Sequence, residues 1–243
     1  MIKRHSREKR RIAFFASFLH NKNRESDKGA IVLNKERMLK QYEELKTSYK
    51  VDHLLNENKK VVFVLESPHI DEVLNEAPVS GLSGKAMSKV IFGDSEKIPM
   101  GIKTKKDPES PIGIMNICPI PMQRAAYLDE KVESMYGRFE NEVYKEFFDV
   151  LEKLRVGTKE HYKDQKRNDL QEIVLNDFKH ELRAMKDKEI IIIPCGKTAE
   201  TFFAAANIYS EKWTVLTGVP HPSFGNWHKV KYAGKINEMK ASF

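Results

Sequence analysis

Five consecutive apolar residues, Val61 to Leu65, constrain the fold of this chain more than any other stretch. They are mostly β-branched or aromatic, and such an unbroken run predicts a strand that is buried on both faces. The run ends at a carboxylate, a hydroxyl, a proline and an imidazole, at positions 66–69. In open α/β sheets, ligands bind beyond the carboxyl ends of the strands. The stretch therefore predicts either a binding site or an ordinary turn after a core strand.

Similar apolar runs occupy residues 112–118, 189–194 and 213–219, and the stretches between the runs are largely helical in pattern. Four buried strands separated by helical segments predict an α/β protein with a three-layer α/β/α fold around a mostly parallel, four-stranded sheet. We expect residues 1–243 to form a single domain with a helical insertion at about 130–187.

The segments between the strands carry weaker signals. Apolar residues at helical spacing predict helices over residues 33–55, 139–155 and 168–186. Residues 93–111 contain glycines, prolines and mixed charges, so we expect a long surface loop there. The apolar and aromatic segment 12–22 is expected to form a short helix or turn that caps the core.

The composition excludes several classes of protein. No apolar run approaches the roughly 18 residues that cross a membrane. The two cysteines exclude a disulfide framework and are too few to hold a structural zinc or an iron–sulfur cluster. We therefore expect a cytoplasmic protein, monomeric and off the membrane, that uses no metal and no cofactor.

The positive charge is concentrated at the N-terminus. Residues 1–12 carry six basic side chains and one acidic side chain, so they supply +5 of the net charge of +7. A cluster of this kind is what an auxiliary contact to nucleic-acid phosphates needs, and it is also what a solvated terminus looks like. Charge alone leaves both interpretations open.

A glycine- and serine-containing loop spans residues 78–85, just before a helical pattern. Free backbone N–H groups at the start of a helix suit a phosphate or another anion. The end of the loop is similar to a P-loop, but Val79 stands where that motif requires glycine, so we reject the P-loop interpretation.

Polar residues follow three of the predicted strands: positions 66–69, Asn116, and positions 221–223. If the strands are parallel, all three sets lie at one edge of the sheet and form one pocket, with residues 81–85 beside it. His221 lies between two prolines that stiffen the backbone on both sides, which favours a role in a site over an inert side chain.

In this order the motifs resemble the uracil-DNA glycosylase superfamily, most closely its bacterial and archaeal branches. Glu66-Ser67-Pro68 resembles their first motif, Gly-Glu-Ala-Pro-Gly, and Pro78 through Lys85 matches Pro-Phe-Val-Gly-Arg-Ala-Gly-Lys at its Pro, Gly, Gly and Lys positions. Three shorter motifs also match, namely Asn116-Ile117-Cys118-Pro119, Cys195-Gly196-Lys197-Thr198-Ala199 and His221-Pro222-Ser223. The resemblance covers about residues 61–124 and 188–228.

The resemblance implies an enzyme that flips a base out of DNA and hydrolyses its N-glycosidic bond. By this resemblance His221 donates a hydrogen bond to the departing base. Glu66 or Ser67 positions the attacking water, and Glu66 also stabilises the cationic sugar. These are the expected catalytic residues, and the expected partner is DNA that carries a deaminated or damaged base.

The resemblance also implies a binding surface. Asn116 would read the pyrimidine edge, Phe224 would serve as a wedge, and Ser223, Ser83 and the Gly81–Gly84 backbone would hold phosphates. The residues assigned to substrate binding are Pro68, His69, Val79, Gly81, Ser83, Gly84, Lys85, Asn116, Ser223 and Phe224.

The chain also departs from the superfamily pattern. Ser67 stands where the most active members have aspartate or asparagine, and Val79 replaces the phenylalanine that stacks on uracil. The iron–sulfur cysteines of the nearest branches are missing, and Gly225-Asn226-Trp227 is an unusual continuation of the last motif. Two alternatives therefore stay open: a non-catalytic nucleic-acid-binding module of the same fold, and a hydrolase acting on a free nucleoside or nucleotide.

Overall fold

The computed structural model describes residues 27–157 and 159–242, with side chains from residue 34 onward. The basic arm at 1–12 and the expected cap at 12–22 lie outside the described residues. The chain divides into two compact units, Met1–Glu36 and Arg37–Phe243. Every strand, and every residue of the site described below, belongs to the second unit.

A four-stranded parallel sheet forms the centre of this unit. Its strands are β1 (Val61–Leu65), β2 (Ile112–Asn116), β3 (Ile190–Pro194) and β4 (Trp213–Val215), in the order β2-β1-β3-β4. In the register, Leu65 lies beside Asn116 and Val64 beside Pro194. The predicted three-layer α/β/α fold with a central parallel sheet is confirmed.

Helices surround the sheet. In chain order they are α1 (Asp27–Tyr49), α2 (Ile70–Asn75), α3 (Leu82–Phe92), α4 (Met100–Lys106), α5 (Glu130–Tyr136), α6 (Asn141–Val156), α7 (Gln165–Ala184), α8 (Lys197–Ala206) and α9 (Ala233–Lys240). Single turns of 3₁₀ helix occupy Arg124–Ala126 and Val230–Tyr232, and a longer, kinked one occupies Ser223–His228.

Side chains of β1 alternate between two buried clusters, which is why the strand is apolar throughout. Val62 and Val64 belong to a cluster with residues of α1, α5, α6, α7 and α8. Phe63 and Leu65 belong to a second cluster with residues of α3, α4 and α9. Both faces of the central strand are therefore covered by helices.

Several predicted boundaries were wrong. The expected loop at 93–111 contains α4, because Met100 and Thr104 are buried on the inner side of a helix whose other positions are mostly lysine. The expected helix 33–55 spans Asp27–Tyr49, and the region 130–186 holds three helices instead of two. The last strand stops at Val215, because it lies at the sheet edge with Thr214 and Val215 exposed.

Among residues 27–157 and 159–242, none of the helices has the length and apolar character needed to cross a membrane.

Candidate functional site

The strand order creates a crevice between β1 and β3. The chain moves outward from β1 to β2 and then returns to the other side of β1 for β3. Ligands of open α/β sheets bind at such a switch point, beyond the carboxyl ends of the strands. Glu66 follows β1 and Cys195-Gly196 follows β3, so both flank this crevice.

Glu66 is held by an arginine that the sequence did not single out. The Nε of Arg155, in the last turn of α6, donates a hydrogen bond to Oε1 of Glu66, and both side chains are mostly buried. The hydroxyl of Thr198, at the start of α8, lies 3.5 Å from the carbonyl oxygen of Arg155. The end of α6 is thereby connected to the turn that follows β3.

His221 lies close enough to this pair to respond to its charges. Burial lowers the pKa of the imidazole, the Glu66 carboxylate raises it and the Arg155 guanidinium lowers it. The backbone N–H of Ser223 donates to Nδ1 of His221 at 3.2 Å, and the Ser223 hydroxyl lies 2.8 Å from the same nitrogen. Because Nδ1 accepts a hydrogen bond, the neutral ring carries its proton on Nε2. The neutral ring of His221 is therefore an Nε2–H donor.

The neighbouring backbone fixes the position of His221. The indole N–H of Trp227 donates to the carbonyl oxygen of Pro220 at 2.7 Å, and the amide of Asn226 donates to that of His221 at 3.1 Å. Gly196 has φ of +89°, and a Cβ there would lie 2.8 Å from Cβ of His221. Only glycine combines this conformation with so close an approach.

Asn116, the last residue of β2, is 1% exposed. Neither its Oδ1 nor its Nδ2 has a hydrogen-bond partner among the described residues. A buried amide without partners costs about 1–3 kcal/mol, so such groups are rare in folded proteins. The carboxamide of Asn116 is therefore a donor and an acceptor that the fold buries and leaves unpaired.

The structure separates the predicted residues into two groups around the sheet edge. Asn116 alternates in phase with Ile112 and Ile114, on the face that packs with Val79. Glu66 contacts α6, which covers the opposite face.

Ser67, Pro68 and His69 follow Glu66 but differ in exposure. The hydroxyl of Ser67 accepts a hydrogen bond from the Met122 N–H at 3.4 Å. Pro68 is buried, and His69 is exposed at the start of α2. The turn after β1 is thus tied to the loop after β2.

Glu72 connects the two loops that border the site. Its Oε2 accepts from the His69 N–H at 2.8 Å and its Oε1 accepts from the Val79 N–H at 2.6 Å. Burial raises the pKa of Glu72 to about 7, with smaller contributions from the carboxylates of Asp71 and Glu66. The two backbone contacts of Glu72 depend on the fold and could not be predicted from the sequence.

The loop 78–85 turns into a helix earlier than we expected. α3 begins at Leu82, so Ser83, Gly84 and Lys85 form its first turn and are not part of a loop. A Cβ on Gly84 would lie 1.6 Å from the carbonyl oxygen of Val79, and one on Gly81 would lie 2.4 Å from Oδ2 of Asp71. Gly84 is therefore required by close packing, whereas a Cβ on Gly81 would displace the exposed side chain of Asp71. The first N–H groups of α3 point out of the helix without intrahelical partners.

Val79 and Phe224 have unusual backbone conformations. Val79 is buried with φ of +44°, which is strained for a β-branched residue. Phe224 has φ of +55°, and its side chain is 90% exposed at the tip of the Ser223–His228 turn. Backbone strain of this kind concentrates at functional sites.

No family model matches the chain, and no curated protein is significantly similar to it. The chemistry must therefore be read from the site itself. The carboxyl edge of the sheet offers an imidazole N–H and a carboxylate held by a guanidinium, and an unpaired amide lies on the face opposite that carboxylate. Within the described ranges, no group of three or more His, Cys, Asp or Glu residues is placed to hold a metal ion.

Proposed function

We propose that this protein is a DNA glycosylase that hydrolyses the N-glycosidic bond of a flipped uracil or another deaminated or damaged base. The observation that carries the proposal is the buried, unpaired carboxamide of Asn116. A pyrimidine edge presents both acceptor oxygens and N–H groups, and an amide complements both. The desolvation cost of that amide is recovered when a hydrogen-bonding partner reaches it, and in this proposal the partner is the base edge.

His221 and Glu66 supply the chemistry in this proposal. Cleavage of the C1′–N bond leaves its electron pair on the base, and the Nε2–H of His221 donates a hydrogen bond where this negative charge develops. The positive charge develops on the sugar, where the Glu66 carboxylate stabilises it. Water held by Glu66 or Ser67 adds through its oxygen to C1′, and the proton that this water loses passes to the anionic base, which completes the hydrolysis.

The remaining site residues contact the DNA strand. Phosphates lie against Ser83, Lys85, Ser223 and the N–H groups of the first turn of α3. Phe224 enters the stack in place of the flipped base, because it is a large apolar side chain held in the open. We also propose that the protein acts as a cytoplasmic monomer without a metal. Both cysteines are free and buried, which fits a reducing compartment.

A non-catalytic nucleic-acid-binding module is the second candidate. Val79 provides no aromatic platform for a base, and an aromatic stack contributes about 1–3 kcal/mol. The Arg155 ion pair also occupies the carboxylate that would otherwise face water. As a binding module, the protein would hold a base in the pocket without cleaving its N-glycosidic bond.

The deciding experiment uses oligonucleotides that carry a single uracil, hypoxanthine or xanthine and are treated with alkali after incubation. We expect strand scission with at least one of them, and a loss of about 10²-fold or more in His221→Ala. His180→Ala, an exposed histidine on α7, is the matched control and should cleave at the wild-type rate.

Two results would contradict the glycosylase, and a third would contradict the role of His221. Absence of scission with salt-sensitive DNA binding retained would favour the binding module. Release of base from free nucleosides but not from DNA would favour a nucleoside hydrolase. Equal rates in His221→Ala and the wild type would remove His221 from the mechanism.

A further inference from the structure

A cavity of about 340 Å³ lies between the C-terminal half of α3, the end of the Ser223–His228 turn and α9. It is separate from the site at β1 and β3, and we call it the lysine groove. Its volume is at the small end of the range of roughly 300–1,000 Å³ that ligand sites occupy. The lining residues used below are Lys89, Asp94, Trp227, His228, Lys229 and Lys240.

The groove has an excess of positive charge. Three lysines line it against one carboxylate, Asp94. Lys89 and Lys240 also lie in the last turns of α3 and α9, where each helix end carries a partial charge of about −0.5. After these partial charges and Asp94 are subtracted from the three lysines, about one positive charge remains.

Two of these lysines are not held in ion pairs with the described residues. Among the described residues, Lys89 and Lys240 form no ion pair, whereas Lys229 donates to Oδ1 of Asn226 at 2.7 Å. Solvated lysines on a surface are common, but these lysines converge on one concave site. They are therefore available to a ligand with several negative charges.

The floor of the groove is rigid. Trp227 is 3% exposed, its ring centroid lies 5.8 Å from that of Phe63, and its N–H is satisfied by Pro220. Trp227 thus holds the segment between His221 and the groove against the sheet. Because seven residues span at most about 25 Å, the groove lies within that distance of the candidate site.

We propose that the lysine groove binds the sugar–phosphate backbone of a single-stranded nucleic acid whose target base occupies the site at β1 and β3. Continuity favours this partner, since one short segment carries His221, the exposed Phe224 and the groove residues His228 and Lys229. Single-strand sites of about 4–16 nucleotides are long enough to reach both places. The identity of the partner rests on the proposed function, whereas the shape and charge of the groove are observed independently of it.

The test measures binding of a fluorescent single-stranded oligonucleotide to the full chain over a range of salt concentrations. For Lys89→Gln with Lys240→Gln we expect weaker binding and a slope of log K against log salt that is smaller by about 1.4, since each phosphate contact contributes about 0.7. Lys89→Arg with Lys240→Arg keeps both charges and should restore binding. Lys131→Gln with Lys163→Gln removes two exposed lysines elsewhere and should leave the slope unchanged.

Several outcomes would overturn the proposal. If the Lys89→Gln, Lys240→Gln variant binds with an unchanged salt slope, the lysine groove does not bind the nucleic-acid backbone. The proposed function is not affected by that result. Charge-dependent binding of inorganic phosphate, or of vesicles containing phosphatidylserine, without a change in the oligonucleotide slope assigns the groove to another anion. Absence of any nucleic-acid binding by the wild type refutes both proposals. Thermal unfolding of each variant identifies a loss of binding that comes from misfolding. If the glutamine variant is misfolded, binding by the charge-retaining arginine variant decides whether the two positive charges contact the nucleic acid.

Discussion

Arg155 and Glu66 form an ion pair across 89 residues of sequence, at the edge of the sheet where the candidate site lies. The pair holds the carboxylate at the end of β1. It also places a positive and a negative charge near His221, with opposite effects on its pKa. Arg155 therefore influences both of the groups to which we assign the chemistry.

Replacing Arg155 should change how His221 titrates. In Arg155→Ala the Glu66 carboxylate acts on the imidazole without the opposing guanidinium, so the pKa of His221 should rise. An NMR titration of the His221 ring measures this directly, without any activity. Lys153→Ala removes an exposed cation from the same helical turn and should leave the titration unchanged. A fall in the pKa of His221, or equal titrations in the two variants, would contradict the described geometry.

Removal of Phe224 should affect function without affecting stability. The side chain is 90% exposed, so Phe224→Ala should change the free energy of unfolding by less than about 0.5 kcal/mol. Cleavage of double-stranded substrate should fall more than cleavage of single-stranded substrate, because only the duplex requires a wedge. Val230→Ala is the control at a residue that is 91% exposed. Equal losses on both substrates would argue against a wedge.

Asn116→Leu should stabilise the protein while it removes base binding. Leucine has the same branched arrangement of four side-chain heavy atoms, and it ends the cost of about 1–3 kcal/mol for an unpaired buried amide. Gln171→Leu is the matched control, since this buried amide donates to the Lys159 carbonyl oxygen at 2.7 Å and its loss should destabilise the fold. Urea unfolding compares the two variants. Destabilisation of equal size in both would show that Asn116 is structurally paired.

The sequence predicted the sheet well, but several contacts at the edge of the sheet depend on the fold. β1 and β3 are recognisable because burial on both faces requires unbroken apolar runs. Such a run is visible in the local sequence, without knowledge of the residues that pack against it. Arg155 could not be found in this way, because its role depends on where α6 ends relative to β1. The run of lysines in α4 hid its buried side, so the pattern looked like a loop. The unpaired state of Asn116 is likewise a property of the space around it.

Stability should depend on pH through Glu72. The folded-state pKa of about 7 lies above the ordinary value of 4.5, so the folded protein keeps a proton that the unfolded chain has lost between these pH values. Stability is therefore highest below pH 4.5 with respect to this group and decreases as the pH rises through 7, by up to roughly 3 kcal/mol. Urea unfolding from pH 5 to 8 should show this decrease in the wild type and not in Glu72→Gln. The exposed Glu76→Gln should retain it, and parallel curves for all three proteins would contradict the assignment.

Substitution of alanine for two helical glycines should change the free energy of unfolding in opposite directions. Gly84→Ala places a methyl group against the Val79 carbonyl oxygen and should destabilise the protein by more than about 3 kcal/mol. Gly234→Ala lies in α9 with no atom within 4 Å, so it should stabilise the protein by about 0.5–1 kcal/mol. Thermal unfolding measures both changes. A mild effect of Gly84→Ala would mean that α3 can move away from the loop.

The position of β1 between β2 and β3 also affects synthesis of the chain. Its second partner begins at Ile190, about 125 residues after Leu65, and translation at roughly 5–20 residues per second needs about 6–25 s to reach it. During that interval a short apolar segment of high strand propensity has one unpaired edge, and such segments promote self-association. We therefore expect the yield of correctly folded protein to depend on chaperone capacity and on the rate of translation, even where the finished fold is stable.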